Sequence, residues 1–448
     1  MLKQYSHNLL LSGFLLAFGA FANAQTSTTM SLSDCIQFAI ENHPDVKTAQ
    51  LQIKDADWRV KENLATGLPQ ISAGVSYQYF IQRPGIPASA LGFPGAGEEK
   101  VAFSAVHSLS PSISLNQLVF NNSYLLSIRA ARYYRQYVEN QLALARQTVR
   151  NKVTDAYLPA LLITDNLSIL DKNISNLEKL FSDTKAINQA GFAEQLDVDR
   201  LELSLSTLRS ERGNLARQRE IVVNALKFTM GMPVGTEISI ADNTTALLSA
   251  AGEVDLTSPA DFMTRPEYMV LLKGRELNEV EIDLYRKPWM PTVAAFVQWQ
   301  GGLQGGFGNK NSDNFDQWFY IPSSVAGVSV TIPIYDGGGT KAKRERAFIS
   351  AQTVDIQKGM LENAISLELD SARKQYLNAK ERVSNQEKNV ALAQRIYDTT
   401  QTKYKSGVGS SFEITQAESG LYSAQQGLLQ AQFDLLTAKV AIKKAMGQ

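Results

Sequence analysis

Two hydrophobic rhythms run along this chain, and each occurs twice. After Pro69 the period is two: Ile71, Ala73, Val75, Tyr77 and Tyr79 share one face, while Ser72, Gly74, Ser76 and Gln78 share the other. A partner stretch sets Phe103, Ala105, Leu109, Ile113 and Leu115 against Ser104, Ser108, Ser110, Ser112 and Ser114. Val293, Ala295, Val297 and Trp299 repeat the alternation, as do Val328, Val330 and Ile332 around Ser329 and Thr331. The second rhythm is helical. Leu361, Ile365, Leu369, Ala372, Tyr376, Ala379, Val383, Gln386, Val390, Ala393, Tyr397, Thr400 and Tyr404 keep three-four spacing, which resumes from Ala417 through Leu421, Ala424, Leu428, Ala431, Leu435, Ala438, Ile442 and Ala445. This is coiled-coil seam spacing, and its alanines imply close helix approach. Tyr124 to Ala190, helical throughout, would span about 100 Å, with Pro159 placed to kink it.

The doubling extends to turns and strand ends. His43-Pro44-Asp45 aligns with Arg265-Pro266-Glu267, and Leu118-Val119-Phe120-Asn121 with Pro333-Ile334-Tyr335-Asp336. Ala190-Gly191-Phe192 aligns with Ser406-Gly407-Val408, Leu196-Asp197-Val198 with Phe412-Glu413-Ile414, and Met230-Gly231 with Met446-Gly447. The same order in both halves, at a period above 200 residues, marks a duplicated domain rather than a solenoid.

Alternation at period two fits an ordinary half-buried sheet and fits equally a transmembrane barrel strand. Aromatic residues at the strand ends (Tyr77, Tyr79, Phe80, Trp299, Trp318, Phe319, Tyr320) favour the barrel, as an interfacial girdle. Four strands do not close a barrel, since small ones need about eight, so the barrel reading requires oligomerisation. The amino terminus supports export. Lys3, the apolar stretch Asn8 to Phe21 and the small-residue site Ala22-Asn23-Ala24 read as a signal peptide cleaved after Ala24. Beyond it no run of 18 apolar residues occurs, so no membrane-spanning helix is expected there.

Composition removes other classes. Lys plus Arg and Asp plus Glu each total 44, which gives no sign of a nucleic-acid partner. Three histidines argue against a histidine-rich metal site, and the lone Cys35 reads as a buried structural thiol. Gly337-Gly338-Gly339-Thr340-Lys341 fails the phosphate-loop spacing and reads as a strand-to-helix bend. No cofactor, metal or catalytic residue is expected, and the chain is not read as an enzyme. Segments 81–103 and 301–323, rich in Gly, Pro and aromatics, read as loops facing outside the cell.

The doubled unit, Pro333-Ile334-Tyr335-Asp336-Gly337-Gly338, and Tyr404-Lys405-Ser406-Gly407-Val408 followed by Phe412-Glu413-Ile414 resemble the TolC-type outer-membrane efflux proteins. The resemblance covers nearly all of the mature chain. It implies a mainly α protein with a transmembrane β-barrel portion: a homotrimer in which each chain gives four strands to one twelve-stranded barrel, above a long α-helical barrel in the periplasm. It implies docking onto a periplasmic adaptor (membrane fusion) protein and an inner-membrane pump, in a tripartite efflux or type I secretion system. Gly191, Phe192, Gly407 and Val408 then form adaptor-contacting tip turns. Asp197, Glu413 and Tyr404 line the pore-entrance constriction, although both acids equally suit a helix's first turn. Where family members carry a basic residue near the second turn, this chain has Gly409. The other class of function that fits the helices is a soluble periplasmic coiled-coil adaptor.

The expected organisation is a signal peptide (1–24), a helical segment (25–69), two barrel strands with an extracellular loop (70–120) and long helices with a tip turn near 191 (121–232). A linker or equatorial segment (233–264) joins them to the second copy: helical (265–290), strands (291–335) and long helices turning near 407 (336–448).

Overall fold

The computed structural model describes residues 28–92, 100–102, 104–306 and 317–447. The expected signal peptide and its cleavage site, and Phe103, lie outside the described residues. In chain order the elements are β1 (Thr28–Met30), α1 (Leu32–Asn42), α2 (Pro44–Ala65), β2 (Gln70–Tyr79), β3 (Gly85–Pro87), β4 (Lys100–Ala102), β5 (His107–Phe120), α3 (Asn122–Gln189) and α4 (Gln195–Met230). There follow β6 (Ile238–Ile240), α5 (Thr244–Ala250), α6 (Pro266–Arg286), β7 (Thr292–Gly305), β8 (Trp318–Thr331), α7 (Gly339–Lys405) and α8 (Ser411–Ala445).

The helix boundaries follow local chemistry. Ser31 opens α1 through a capping box with Asp34, and Pro44 and Pro266 sit at the first positions of α2 and α6. Asn121 accepts from the Tyr124 N–H at the head of α3; at the equivalent repeat position Asp336 accepts from the N–H groups of Gly338 and Thr340 at the head of α7. α3 carries Pro159 inside a single unbroken 68-residue helix. Among the described residues no helix is long and apolar enough to cross a membrane.

The four long strands form one antiparallel sheet in the order β2-β5-β7-β8, so the two copies of the unit meet edge to edge at β5-β7. β1 pairs with β6 in parallel and ties the start of the described chain to the segment between the repeats. The helical body has three sizeable apolar clusters. One gathers Cys35, Val46, Tyr157, Leu161, Leu226 and Met230. A second runs along the α7–α8 seam from Leu369 to Ile442. The third, with Leu170, Leu177, Leu201, Tyr397 and Ile414, joins the hairpins α3/α4 and α7/α8. Cys35 is fully buried, and burial pushes its thiol up to about 12.

Two sequence expectations are corrected. The second strand begins at His107, while Ala105 and Val106 are buried just before it. The second loop is shorter than 301–323, because β7 runs through Gly305 and β8 starts at Trp318. Glycines hid this. Gly301 and Gly305 look like loop residues, but the rings of Trp299 and Tyr320 crowd the space above Gly301, and Trp318 that above Gly305. Aromatic cover of a strand glycine restores the packing its missing side chain forfeits.

Candidate functional site

The register of the long sheet sorts its side chains into two unlike faces. On one, successive rungs read Ile71-Leu115-Val297-Ala326, Ala73-Ile113-Trp299-Ser324, Tyr77-Leu109-Leu303-Tyr320 and Tyr79-His107-Gly305-Trp318. On the other they read Ser72-Ser114-Gln298-Val325, Gly74-Ser112-Gln300-Ser323 and Gln78-Ser108-Gln304-Phe319. The Ser72 and Ser114 hydroxyls meet at 2.7 Å. None of the four strands carries Asp, Glu, Lys or Arg.

The aromatic cluster sits at one end of the apolar face, as a girdle should. The His107 ring lies 5.1 Å from Tyr79 and 5.9 Å from Trp318, and its Nδ1 is 2.8 Å from the Tyr77 hydroxyl. Three of the aromatics expected in the girdle fall elsewhere. Trp299 lies deeper, on the Ala73-Ile113 rung; Phe319 belongs to the polar face; Phe80 follows the strand end. His107, which is not among the expected girdle residues, joins it.

Among the described residues nothing covers the apolar face: Ile71 is 72 % and Val75 73 % exposed, and Val328 and Val330 are exposed too. Among the described residues β2 and β8 each pair on one side only, which leaves two long open edges. The four strands alternate in direction, so these edges run oppositely, and the free edge of one copy matches that of the next in antiparallel sense.

The far ends of the long helices repeat one turn. At the end of α3 the Phe192 N–H donates to the Ile187 carbonyl across Gly191, whose φ is +84°. At the end of α7 the Val408 N–H donates to the Lys403 carbonyl across Gly407, φ +77°. Both are Schellman turns, in which a left-handed residue closes the helix. The residue after the glycine ordinarily folds back on the helix, yet Phe192 is 86 % and Val408 83 % exposed.

Behind the turns the hairpins are bound to one another. The Thr184 and Tyr404 hydroxyls meet at 3.0 Å, linking α3 to α7. The Ser411 hydroxyl donates to the Asp197 carboxylate, linking α8 to α4. Burial lifts the Tyr404 phenol above its ordinary range, the Thr184 bond opposes this, and the Asp197 charge adds to it. Glu413 is exposed; its backbone N–H is capped by the Ser410 hydroxyl. A Cβ at Gly409 would lie 3.0 Å from the Tyr404 backbone nitrogen, so a basic side chain there requires the turn to shift. No spacing or motif singles out Thr184 and Ser411, because isolated hydroxyl residues in a helix resemble many others. Among the described residues no group of three or more His, Cys, Asp and Glu is placed to hold a metal ion.

An uncovered, edge-open sheet set on long coiled-coil hairpins defines a membrane-channel subunit. The chain belongs to the outer membrane efflux protein family, whose model matches residues 35–232 and 272–448. It is 22 % identical over 425 residues to the pyoverdine export outer membrane protein OpmQ of Pseudomonas aeruginosa, covering 93 % of this chain and 85 % of that one. It is 24 % identical over 434 residues to the probable efflux pump outer membrane protein TtgC of Pseudomonas putida, covering 93 % and 83 %. Its fold matches that of the channel CusC with a TM-score of 0.70 at 17 % identity, over 96 % of this chain and 95 % of that one. The outer membrane protein VceC of Vibrio cholerae matches at 0.66 and 15 % identity, over 93 % and 96 %. This is an outer-membrane efflux channel protein with a periplasmic helical part, and the soluble-adaptor alternative does not fit it. Channels of this family form trimers and work with adaptor and inner-membrane pump partners.

Proposed function

We propose that three copies of this chain form one passive conduit. β8 of each copy pairs with β2 of the next to close a twelve-stranded barrel in the outer membrane, and the helices continue it into the periplasm. One observation carries this reading: the sheet has an uncovered apolar face, an uncharged polar face and two open edges of opposite direction. Pairing edge to edge around a closed ring satisfies both edges at once and places the apolar face on lipid. Strands of 10 to 14 residues have the length a tilted transmembrane strand needs, about 9 to 11.

The exposed Phe192 and Val408, held out on their rigid turns, are the adaptor-contacting surface, with the pump beyond the adaptor. The uncharged polar face offers the barrel little basis for selecting cargo by charge, so choice of cargo falls to the pump. At the inner end Glu413 projects into the entrance, where three copies make a ring of carboxylates that favours cations. Asp197 is tied to Ser411 and serves the closed arrangement of the hairpins together with Tyr404.

Planar-bilayer recording of the purified protein tests this. Trimer-sized channels with a cation preference are expected. Glu413→Gln reduces that preference at low salt and has less effect at 1 M, where the Debye length is about 3 Å. An unchanged ion preference in Glu413→Gln at low salt would show that this carboxylate faces away from the entrance.

A further inference from the structure

The two hairpins of each chain meet along a seam, and a column of α8 residues at seven-residue spacing runs down it: Ser411, Glu418 and Gln425. The outer two have partners on the other hairpin. The Ser411 hydroxyl donates to Asp197 on α4, and Gln425 Oε1 accepts from the Asn173 amide on α3 at 3.1 Å. Neighbouring positions also cross the seam, Tyr422 to Glu211 on α4 at 3.2 Å and Gln426 to Asn166 on α3 at 3.4 Å. Glu418, in the middle, is 6 % exposed, and its Oε1 has no hydrogen-bond partner. It lies between Ile414 and Leu421 on the face of α8 that packs into the apolar cluster joining the hairpins.

We propose that Glu418 is a proton-operated latch on this seam: neutral, it lets the hairpins stay packed; ionised, it drives them apart. The inference rests on reading the hairpin ends as the inner mouth of the conduit. A carboxylate in an apolar cluster without a partner is the costly member of a seam whose other polar groups are satisfied. Protonation removes that cost. Separation of the hairpins removes it differently, by letting water reach the charge.

Among the described residues no cation forms an ion pair with Glu418, and burial is the one influence on its carboxyl. α3 turns Leu170, Ile174, Leu177 and Leu180 into the cluster, and α4 turns Leu201 and Leu205. α7 contributes Tyr397, whose phenol is raised by burial and then by the charges of Glu418 and Asp398. On α4 the seam carries Asp197, held by Ser411, Glu211, held by Tyr422, and Arg200, which lies over the exposed Phe412 ring rather than against Glu418. Burial alone pushes the Glu418 carboxyl up to about 7. In the separated, hydrated seam it returns toward the ordinary carboxylate value. The packed seam therefore binds the proton more tightly. Its advantage is fully present below the ordinary carboxylate range and is lost as pH rises through about 7. Between pH 5.5 and 8.5 the packed-to-separated ratio falls by roughly tenfold or more per chain.

The test compares the parent trimer with Glu418→Gln, which keeps the shape and cannot ionise. Amide hydrogen exchange, corrected for its intrinsic pH dependence, is followed in residues 411–425 relative to 429–442 of the same helix. In the parent, protection of the first segment falls at least several-fold from pH 5.5 to 8.5; in Glu418→Gln it is flat. Channel open probability in bilayers rises over the same range in the parent alone. Should Glu418→Gln fail to assemble, exchange on the parent decides by itself: equal protection of residues 411–425 at both pH values overturns the latch. So does the same pH dependence in both proteins. A protein that never conducts would instead count against the conduit reading, and the exchange result would still decide the latch.

Discussion

The sheet and the helical body use the same rule, one apolar face per element, and reach opposite outcomes. In the helices the middle of the seam is covered within the chain: Ile365, Leu369, Ala372, Tyr376 and Ala379 of α7 are all buried, as are Leu421, Leu435 and Ile442 of α8. In the sheet the equally regular face of Ile71, Val75, Val328 and Val330 is left open. The helical seam is buried by its own chain; on the proposed reading the sheet is completed by lipid and by other copies. Hydrophobic periodicity thus gives an element's direction of burial without saying what covers it.

The comparison is broken most forcefully by a charge on the open face. Ile113→Arg places a cation amid the apolar face and should cost about 2–4 kcal/mol of membrane-folded stability. Ser112→Arg, one residue away on the polar face, should cost far less. Denaturant titration in lipid vesicles reads both, and equal costs would mean that the two faces are not lipid and lumen.

A smaller effect is expected within the helical body. Asp242 accepts from the Tyr157 hydroxyl at 2.7 Å and from the Leu32 N–H at 2.8 Å. Asp242→Ala removes the acceptor of both, strands the Leu32 N–H and leaves the Tyr157 hydroxyl only the Met30 carbonyl at 3.4 Å, and should cost about 1–3 kcal/mol. Unlike the sheet substitution, it should do so to the same extent in detergent and in lipid, as thermal unfolding would show.

At the tip, Gly407→Val meets no neighbour within 4 Å but must adopt φ near +77°. The strain should be about 1–2 kcal/mol, with a similar result for Gly191→Val at φ +84°. Both should weaken adaptor binding in a pull-down without dissociating the trimer. Unchanged binding in both would move the adaptor surface elsewhere.

Much of this was legible in the sequence because it is periodic and doubled. The strand faces, the two seams and the glycine turns all follow from spacing. The rest depends on who meets whom. The seam spacing passes from Ala417 to Leu421 and so skips Glu418, a polar residue whose burial is decided by the other hairpin. Trp299 and Phe319 looked alike as strand-end aromatics, but register puts one deep on the apolar face and the other on the polar face. Gly301 and Gly305 looked like loop until aromatic rings were found above them. Asp197 and Glu413 occupy equivalent repeat positions, yet the Ser411 hydroxyl engages the first and leaves the second exposed.

In the proposed conduit the open sheet is completed by copies of itself. Native mass measurement of the protein extracted in mild detergent tests it most directly. A particle of three chains that loses its β-sheet signal when dissociated is expected. A stable folded monomer that retains its sheet would contradict it.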